Sequence, residues 1–132
     1  DTLLSVEPLT IEVEYQLDAD ITGLRIGIYM MTSRGEYIFT SFDTDEPEKF
    51  QSMSARKAGH YVSRCVIPAD TFNEGKFVIG INASSYMVKR YFSDERALNF
   101  SINTTGAPGM HWVEIRHGPI RPRLDWRIEE IA

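Results

Sequence analysis

Several residues of this chain are of types that can do chemistry. They are the histidines His60, His111 and His117, the single cysteine Cys65, the carboxylate pairs Glu12/Glu14 and Asp43/Asp45, and the adjacent serines Ser84 and Ser85. A metal site needs His, Cys or carboxylate ligands that converge at ligand spacing. No two of the histidines stand at such spacing on one element and Cys65 has no CxxC partner, so no metal and no other cofactor is expected. Covalent catalysis needs a Ser or Cys placed by a base and an orienting acid. Ser84 and Ser85 lie in no GxSxG elbow, while His60 and Cys65, in one strand and an odd number of residues apart, project to opposite faces. The carboxylate pairs are of the kind that a glycosidase uses. Glu12 and Glu14, however, repeat along the wet face of a strand, and Asp43 and Asp45 belong to an acidic loop, so both read as solvated charge. With no GxxxxGK[ST] loop the segment cannot hydrolyse nucleotide in the P-loop manner. The chain is expected not to be an enzyme.

What remains is surface chemistry. Sugars are held by flat aromatic rings that cover their C–H faces and by amide, hydroxyl and charged groups that match their hydroxyls. The residues able to do this, Arg25, Tyr29, Thr40, Phe42, Asn82, Ser84 and Tyr86, converge only if three strands place them on one sheet face. In PLTIEVEYQL, Leu9, Ile11, Val13, Tyr15 and Leu17 alternate with Thr10, Glu12, Glu14 and Gln16, the pattern of a strand with one wet face. After the turn residues 18–23, LRIGIYMM puts Leu24, Ile26, Ile28 and Met30 on one side and Arg25, Gly27, Tyr29 and Met31 on the other, and these first two strands are expected to pair antiparallel. Ser33, Arg34 and Gly35 then close a hairpin to EYIFTSF, which sets Thr40 and Phe42 beside Arg25 and Tyr29.

The stretch DTDEPEKFQSMSARKAG reads as a long surface connection with at most one or two helical turns. HYVSRCVIP is a strand stopped by Pro68, in which Cys65 alternates with Tyr61, Ser63 and Ile67 and reads as a buried, inert thiol. ADTFNEG is a turn or a single-turn helix ending on Gly75, KFVIGINASSYM a strand with a bend near Gly80 or Ala83 that carries Asn82, Ser84 and Tyr86, and RALNFSIN a strand preceded by the polar SDE. TTGAPG is a loop on composition. At the end, RLDWRIEEI puts Leu124, Trp126, Ile128 and Glu130 on one face and Asp125, Arg127, Glu129 and Ile131 on the other. Seven or eight short strands at regular spacing without a long helix predict an all-β domain, an antiparallel β-sandwich or barrel.

Length and composition agree with one folded domain over residues 1–132: apolar residues make up 42% and charged residues 25%. A net charge of −5 spread along the chain leaves no basic stripe for phosphates, so nucleic acid is not an expected partner. No apolar run approaches the roughly 20 residues of a membrane span and the opening residues lack a signal-peptide layout, so the chain is expected to be soluble. One cysteine permits no intrachain disulfide. The start on Asp1 rather than Met suggests a domain excised from a longer chain.

Four segments together resemble the carboxy-terminal domain of Wzt-type ATP-binding subunits of polysaccharide ABC transporters: EPLTIEVEYQL, GLRIGIYMMTSRGEYIFTS, GHYVSRCVIPADTFNEGKFVIGINAS and GPIRPRLDWRIEE. The block from Tyr61 to Gly80 and the closing RPRLDW from Arg121 to Trp126 are the most specific. The resemblance implies an immunoglobulin-like or jelly-roll sandwich that recognises a bacterial surface polysaccharide, such as O-antigen of lipopolysaccharide, for export. It further implies a place at the cytoplasmic face of the inner membrane, with an upstream nucleotide-binding domain, an ATPase, and a transmembrane permease as partners. It also implies a homodimer in which a last strand, Leu124 to Ile131 with Leu124, Trp126 and Ile128 on one face, is exchanged between protomers across a hinge stiffened by Gly118, Pro119 and Pro122. The sugar-binding residues named above come from strand faces, not from the resemblance. A docking or dimerisation module without glycan binding is the alternative reading.

Overall fold

The structure, a computed structural model, describes residues 1–131; Ala132, the last residue of the expected domain, lies outside them. Among the described residues the chain is all-β apart from one short helix. Its elements are β1 (Thr2–Leu4), β2 (Leu9–Leu17), β3 (Leu24–Thr32), β4 (Tyr37–Phe42), α1 (Pro47–Met53), β5 (Gly59–Ile67), β6 (Gly75–Ser85) and β7 (Lys89–Asn103). They form a five-stranded sheet of order β1-β7-β6-β3-β4 and a two-stranded sheet of β2 and β5.

The inward-facing apolar residues of both sheets meet in one core. Ile11 of β2 and Ile67 of β5 pack with Ile28 and Met30 of β3, Phe77 and Ile79 of β6, and Phe100 and Ile102 of β7. Phe72, in the connection from β5 to β6, plugs this core: its ring lies 4.8 Å from that of Phe77 and 6.0 Å from that of Phe100. A residue read as part of a turn is thus 3% exposed, because the β-bridge from Phe72 to Ile120 holds its backbone at the mouth of the core.

β2 alternates as its sequence requires, with Ile11 buried, Val13 and Tyr15 half-buried and Glu12 and Glu14 exposed. Its partner is β5, however, and not β3 as expected. The antiparallel register sets Glu12 opposite Arg64 and Tyr15 opposite Tyr61. That register is complementary on both faces: Glu12 and Arg64 form an ion pair at 2.5 Å, His60 reaches Glu14 at 2.7 Å, and the two tyrosine rings stack with centroids 5.6 Å apart. β3 instead lies between β4 and β6, which explains why its second face, with Gly27 and Met31, is buried as well.

The β3–β4 hairpin forms as read, with Gly35 at a φ of +90° in the turn and a bulge between Met30 and Met31. Three other expectations are corrected. The five-stranded sheet is mixed, not purely antiparallel, because β1, in a segment given no structure by its sequence, runs parallel to β7 through Thr2 opposite Ser101. β7 begins at Lys89 and runs through Ser93, Asp94 and Glu95, so the polar SDE does not precede the strand but lies in it; Lys89 to Arg96 are solvent-exposed, and exposure on both sides leaves no apolar alternation to read. Finally, RLDWRIEEI forms no strand within the chain. Leu124, Trp126 and Ile128 are 65%, 84% and 97% exposed, since an alternating sequence becomes a strand only where a partner edge receives it. Residues 47–53 of the long connection do form a short helix, opened by Pro47.

Candidate functional site

The seven residues expected to bind sugar come together. Antiparallel pairing sets Gly27 of β3 between Phe42 of β4 and Asn82 of β6, Tyr29 opposite Thr40, and Arg25 opposite Ser84. Because direct partners share a face, these side chains leave the outer face of the five-stranded sheet together. Tyr86 follows in the β6–β7 turn, where Met87 adopts a φ of +58° and the Val88 amide donates to the Ser85 carbonyl at 3.0 Å.

Gly27 is what makes this face flat. A Cβ at that position would lie 2.5 Å from Phe42 Cε1, so the phenyl ring rests directly on the strand backbone where any other residue would lift it. The Arg25 guanidinium stacks on that ring, 3.8 Å from its centroid, and lies 4.7 Å from the centroid of Tyr86. Next to it, Tyr29 packs edge-on against Tyr37 with centroids 6.0 Å apart. Gly80, opposite Tyr29, admits a second close approach. β7 carries extra residues between Asp94 and Leu98, and the Glu95 carbonyl lies 3.1 Å from where a Gly80 Cβ would be.

The result is an open groove of about 350 Å³ lined by Arg25, Tyr29, Asn82, Ser84, Tyr86, the turn residues Met87 and Val88, and Lys89 and Arg90 at the start of β7. Thr40 and Phe42 lie beside it on β4 rather than in its lining. Asn82 is only 6% exposed and forms the floor, whereas Tyr37 and Tyr86, at 67% and 65% exposed, present open rings. Tyr37, Lys89 and Arg90 are additions to the sequence reading. Tyr37 reaches this face only through the bulge in the β3–β4 pairing. Lys89 and Arg90 were hidden because the strand after KFVIGINASSYM was expected to start only at RALNFSIN, past the polar SDE.

A second polar centre ties the two sheets together. Arg56, 3% exposed, places Nη1 2.9 Å from Asp43 Oδ2 and Nη2 3.1 Å from Asp43 Oδ1, and donates from Nε to the Met53 carbonyl at 2.7 Å and from Nη1 to the Tyr15 hydroxyl. Asp43 also accepts from the Ile26 amide at 2.9 Å and the Ser63 hydroxyl at 2.8 Å. Burial opposes the Arg56 charge most strongly, yet hydrogen bonding and charge attraction from Asp43, with Tyr15 adding to both, hold its pKa above the ordinary arginine value. Both Asp43 oxygens are therefore engaged, and Asp45 accepts from the Phe42 amide at 3.0 Å. With Glu12 and Glu14 paired to Arg64 and His60, none of the four carboxylates considered for glycoside hydrolysis stands free in a cleft.

His60, on β5, and His111 and His117, in the irregular segment after β7, are all exposed, and among the described residues no three His, Cys, Asp or Glu side chains gather as a metal site. Cys65 is half-buried against the core, opposite Ile11, and burial pushes its thiol pKa up. No helix of the described residues is long and apolar enough to cross a membrane.

No protein-family model and no curated protein matches the chain. Among solved structures it is similar to the crystal structure of the C-terminal domain of Wzt. The likeness has a TM-score of 0.67 at 12% sequence identity and covers 98% of this chain and 74% of that one. The chain shares the fold of a Wzt-type C-terminal domain.

Proposed function

We propose that this chain is a non-catalytic carbohydrate-binding domain of the immunoglobulin-like or jelly-roll sandwich type, which recognises a bacterial surface polysaccharide such as O-antigen for export by an ABC transporter. In this reading it works at the cytoplasmic face of the inner membrane, attached to a nucleotide-binding domain that hydrolyses ATP and associated with a transmembrane permease. The observation that carries the proposal is the groove on the outer sheet face. Tyr29, backed edge-on by Tyr37, and Tyr86 offer rings around a floor of Asn82 and Ser84, with Arg25 held on Phe42 at its edge. Aromatic faces beside amide and hydroxyl groups are the groups that sugars require. The fold likeness to a Wzt C-terminal domain supports the transport context.

The test is a titration or glycan-array measurement of the purified chain against bacterial surface polysaccharides, including that of its own source. Saturable binding to one polymer is expected, weakened about tenfold or more, or by 1.4 kcal/mol upward, in Tyr29→Ala and Asn82→Ala variants that still fold. Binding unchanged in both variants refutes the assignment of this face, and no binding to any polymer refutes the reading itself.

A dimerisation role is favoured by a separate observation. The exposed Leu124, Trp126 and Ile128 form an apolar row with no partner strand among the described residues, while β2 and β5 make a sheet with two open edges. Exchange of Leu124 to Ile131 between two copies would supply the strand and cover the row. Two linked sites on one polymer would then raise avidity without new contacts, so this role complements glycan binding.

A further inference from the structure

After β7 the chain turns through a loop that Asn73 holds in place. The Asn73 side-chain amide donates to the Arg116 carbonyl at 2.7 Å and the Gly118 carbonyl at 2.9 Å, its backbone amide donates to the Pro119 carbonyl, and the Arg121 amide donates to Thr71. Asn73 is 6% exposed, so this clamp is part of the folded body and fixes the backbone from which Arg116 and Arg121 project.

Both guanidinium groups converge on Gly109. Its φ of +86° is the left-handed conformation that favours glycine, and the point where a Cβ would sit is 2.5 Å from Arg116 Nη2 and 3.4 Å from Arg121 Nη2. Two like charges held this close repel each other unless a negative group lies between them. Arg123, the third cation of the depression, has such a group: its Nε lies 2.9 Å from Asp70 Oδ2. Among the described residues no carboxylate pairs with Arg116 or Arg121. Arg121 donates from Nη2 to the Pro108 carbonyl at 2.7 Å, yet its Nε is buried without a hydrogen-bond partner. A depression of about 360 Å³ opens in front of these groups.

We propose that Arg116 and Arg121, gathered over Gly109, form a binding site for an oxyanion, a phosphate or a carboxylate group. A guanidinium presents planar paired donors that match the oxygens of either anion, and the Arg116 fork, free of any protein acceptor, stands beside Arg121 Nη2 at the depression. The site shares no residue with the sheet-face groove, so it stands or falls independently of the glycan reading.

The experiment is isothermal titration of the chain at low ionic strength with inorganic phosphate, glucose 1-phosphate and glucuronate, with glucose as the uncharged control. Saturable binding of at least one anion is expected, weakened tenfold or more by Arg116→Gln, an exposed position whose loss leaves the fold intact by circular dichroism, and likewise by Arg121→Gln. Arg34→Gln, which removes the same charge from the β3–β4 turn, leaves binding unchanged. Phosphate and glucose 1-phosphate binding without glucuronate identifies a phosphate site; binding of glucuronate identifies one that accepts carboxylates. The proposal is overturned by absence of saturable binding for all three anions, by an Arg116→Gln variant that binds as the parent does, or by an equal loss in Arg34→Gln.

Discussion

Replacing Gly27 with alanine places a Cβ 2.5 Å from Phe42 Cε1 and 2.6 Å from Cδ1, deep inside van der Waals contact, so the phenyl ring has to leave the sheet. Its departure also takes away the surface on which the Arg25 guanidinium stacks at 3.8 Å. Overpacking costs about 1–3 kcal/mol, and the low end applies because the clashing atoms belong to a half-buried side chain on the edge strand β4, free to swing outward. The lost cation–π contact adds about 0.5–1 kcal/mol, while the reduced freedom of the unfolded chain returns about 0.4–1 kcal/mol. The expected net loss is about 0.5–1.5 kcal/mol, a fall in Tm of roughly 2–5 °C for a domain of this size. Urea denaturation of the parent, Gly27→Ala, Phe42→Ala and the double variant checks the mechanism. In the Phe42→Ala background the alanine meets no ring and is neutral or slightly stabilising, which gives a coupling of about 1–2 kcal/mol between the two positions. Equal destabilisation in both backgrounds would refute the claim that Gly27 is there to seat Phe42.

Further outcomes can be measured on the same protein. Arg56→Met leaves Asp43 without its partner in the interior and should lower stability by about 3 kcal/mol, read as a fall in Tm of roughly 10 °C; because Asp43 keeps 21% of its side chain exposed, a loss beyond the usual range for a buried pair is not expected. Burial favours the neutral Cys65 thiol in the fold, so its folded pKa is raised; its contribution to stability is complete below the ordinary thiol pKa and is lost as pH rises through the folded value. Denaturation midpoints from pH 7 into the alkaline range should therefore decline less in Cys65→Ala than in the parent, and a parallel decline would contradict the assignment. Deleting Leu124 to Ala132 should convert a dimer into a monomer by light scattering and raise its tendency to aggregate through the open β2 and β5 edges; a well-behaved dimeric truncation would rule out strand exchange.

The candidate site was legible because strand period 2 is a local property. Once Gly35 is read as a hairpin turn, the parity of Arg25, Gly27 and Tyr29 fixes Thr40 and Phe42 as their neighbours, and the same parity along β6 groups Asn82 with Ser84. The contribution of Gly27 was not legible, because nothing in LRIGIY states that a phenylalanine from the next strand will lie on it. Nor was the Arg56–Asp43 pair, whose members sit in a connection read as surface: its burial follows from where the segment after α1 runs back against Ile21 and Leu24, and sequence spacing holds no trace of that.

By itself the sequence determined the all-β class, the alternating faces of β2, β3 and β5, the β3–β4 hairpin and the lack of a nucleotide loop, since each follows from side-chain direction or local turn geometry. The tertiary structure alone decided that β2 pairs with β5, that β1 runs parallel to β7, and that Phe72 enters the core, because these depend on which distant edges complement one another. It also decided the state of the last segment. The alternation of Leu124, Trp126 and Ile128 is written in the sequence, but a strand exists only with a partner, and within this chain every candidate edge leaves that segment unpaired.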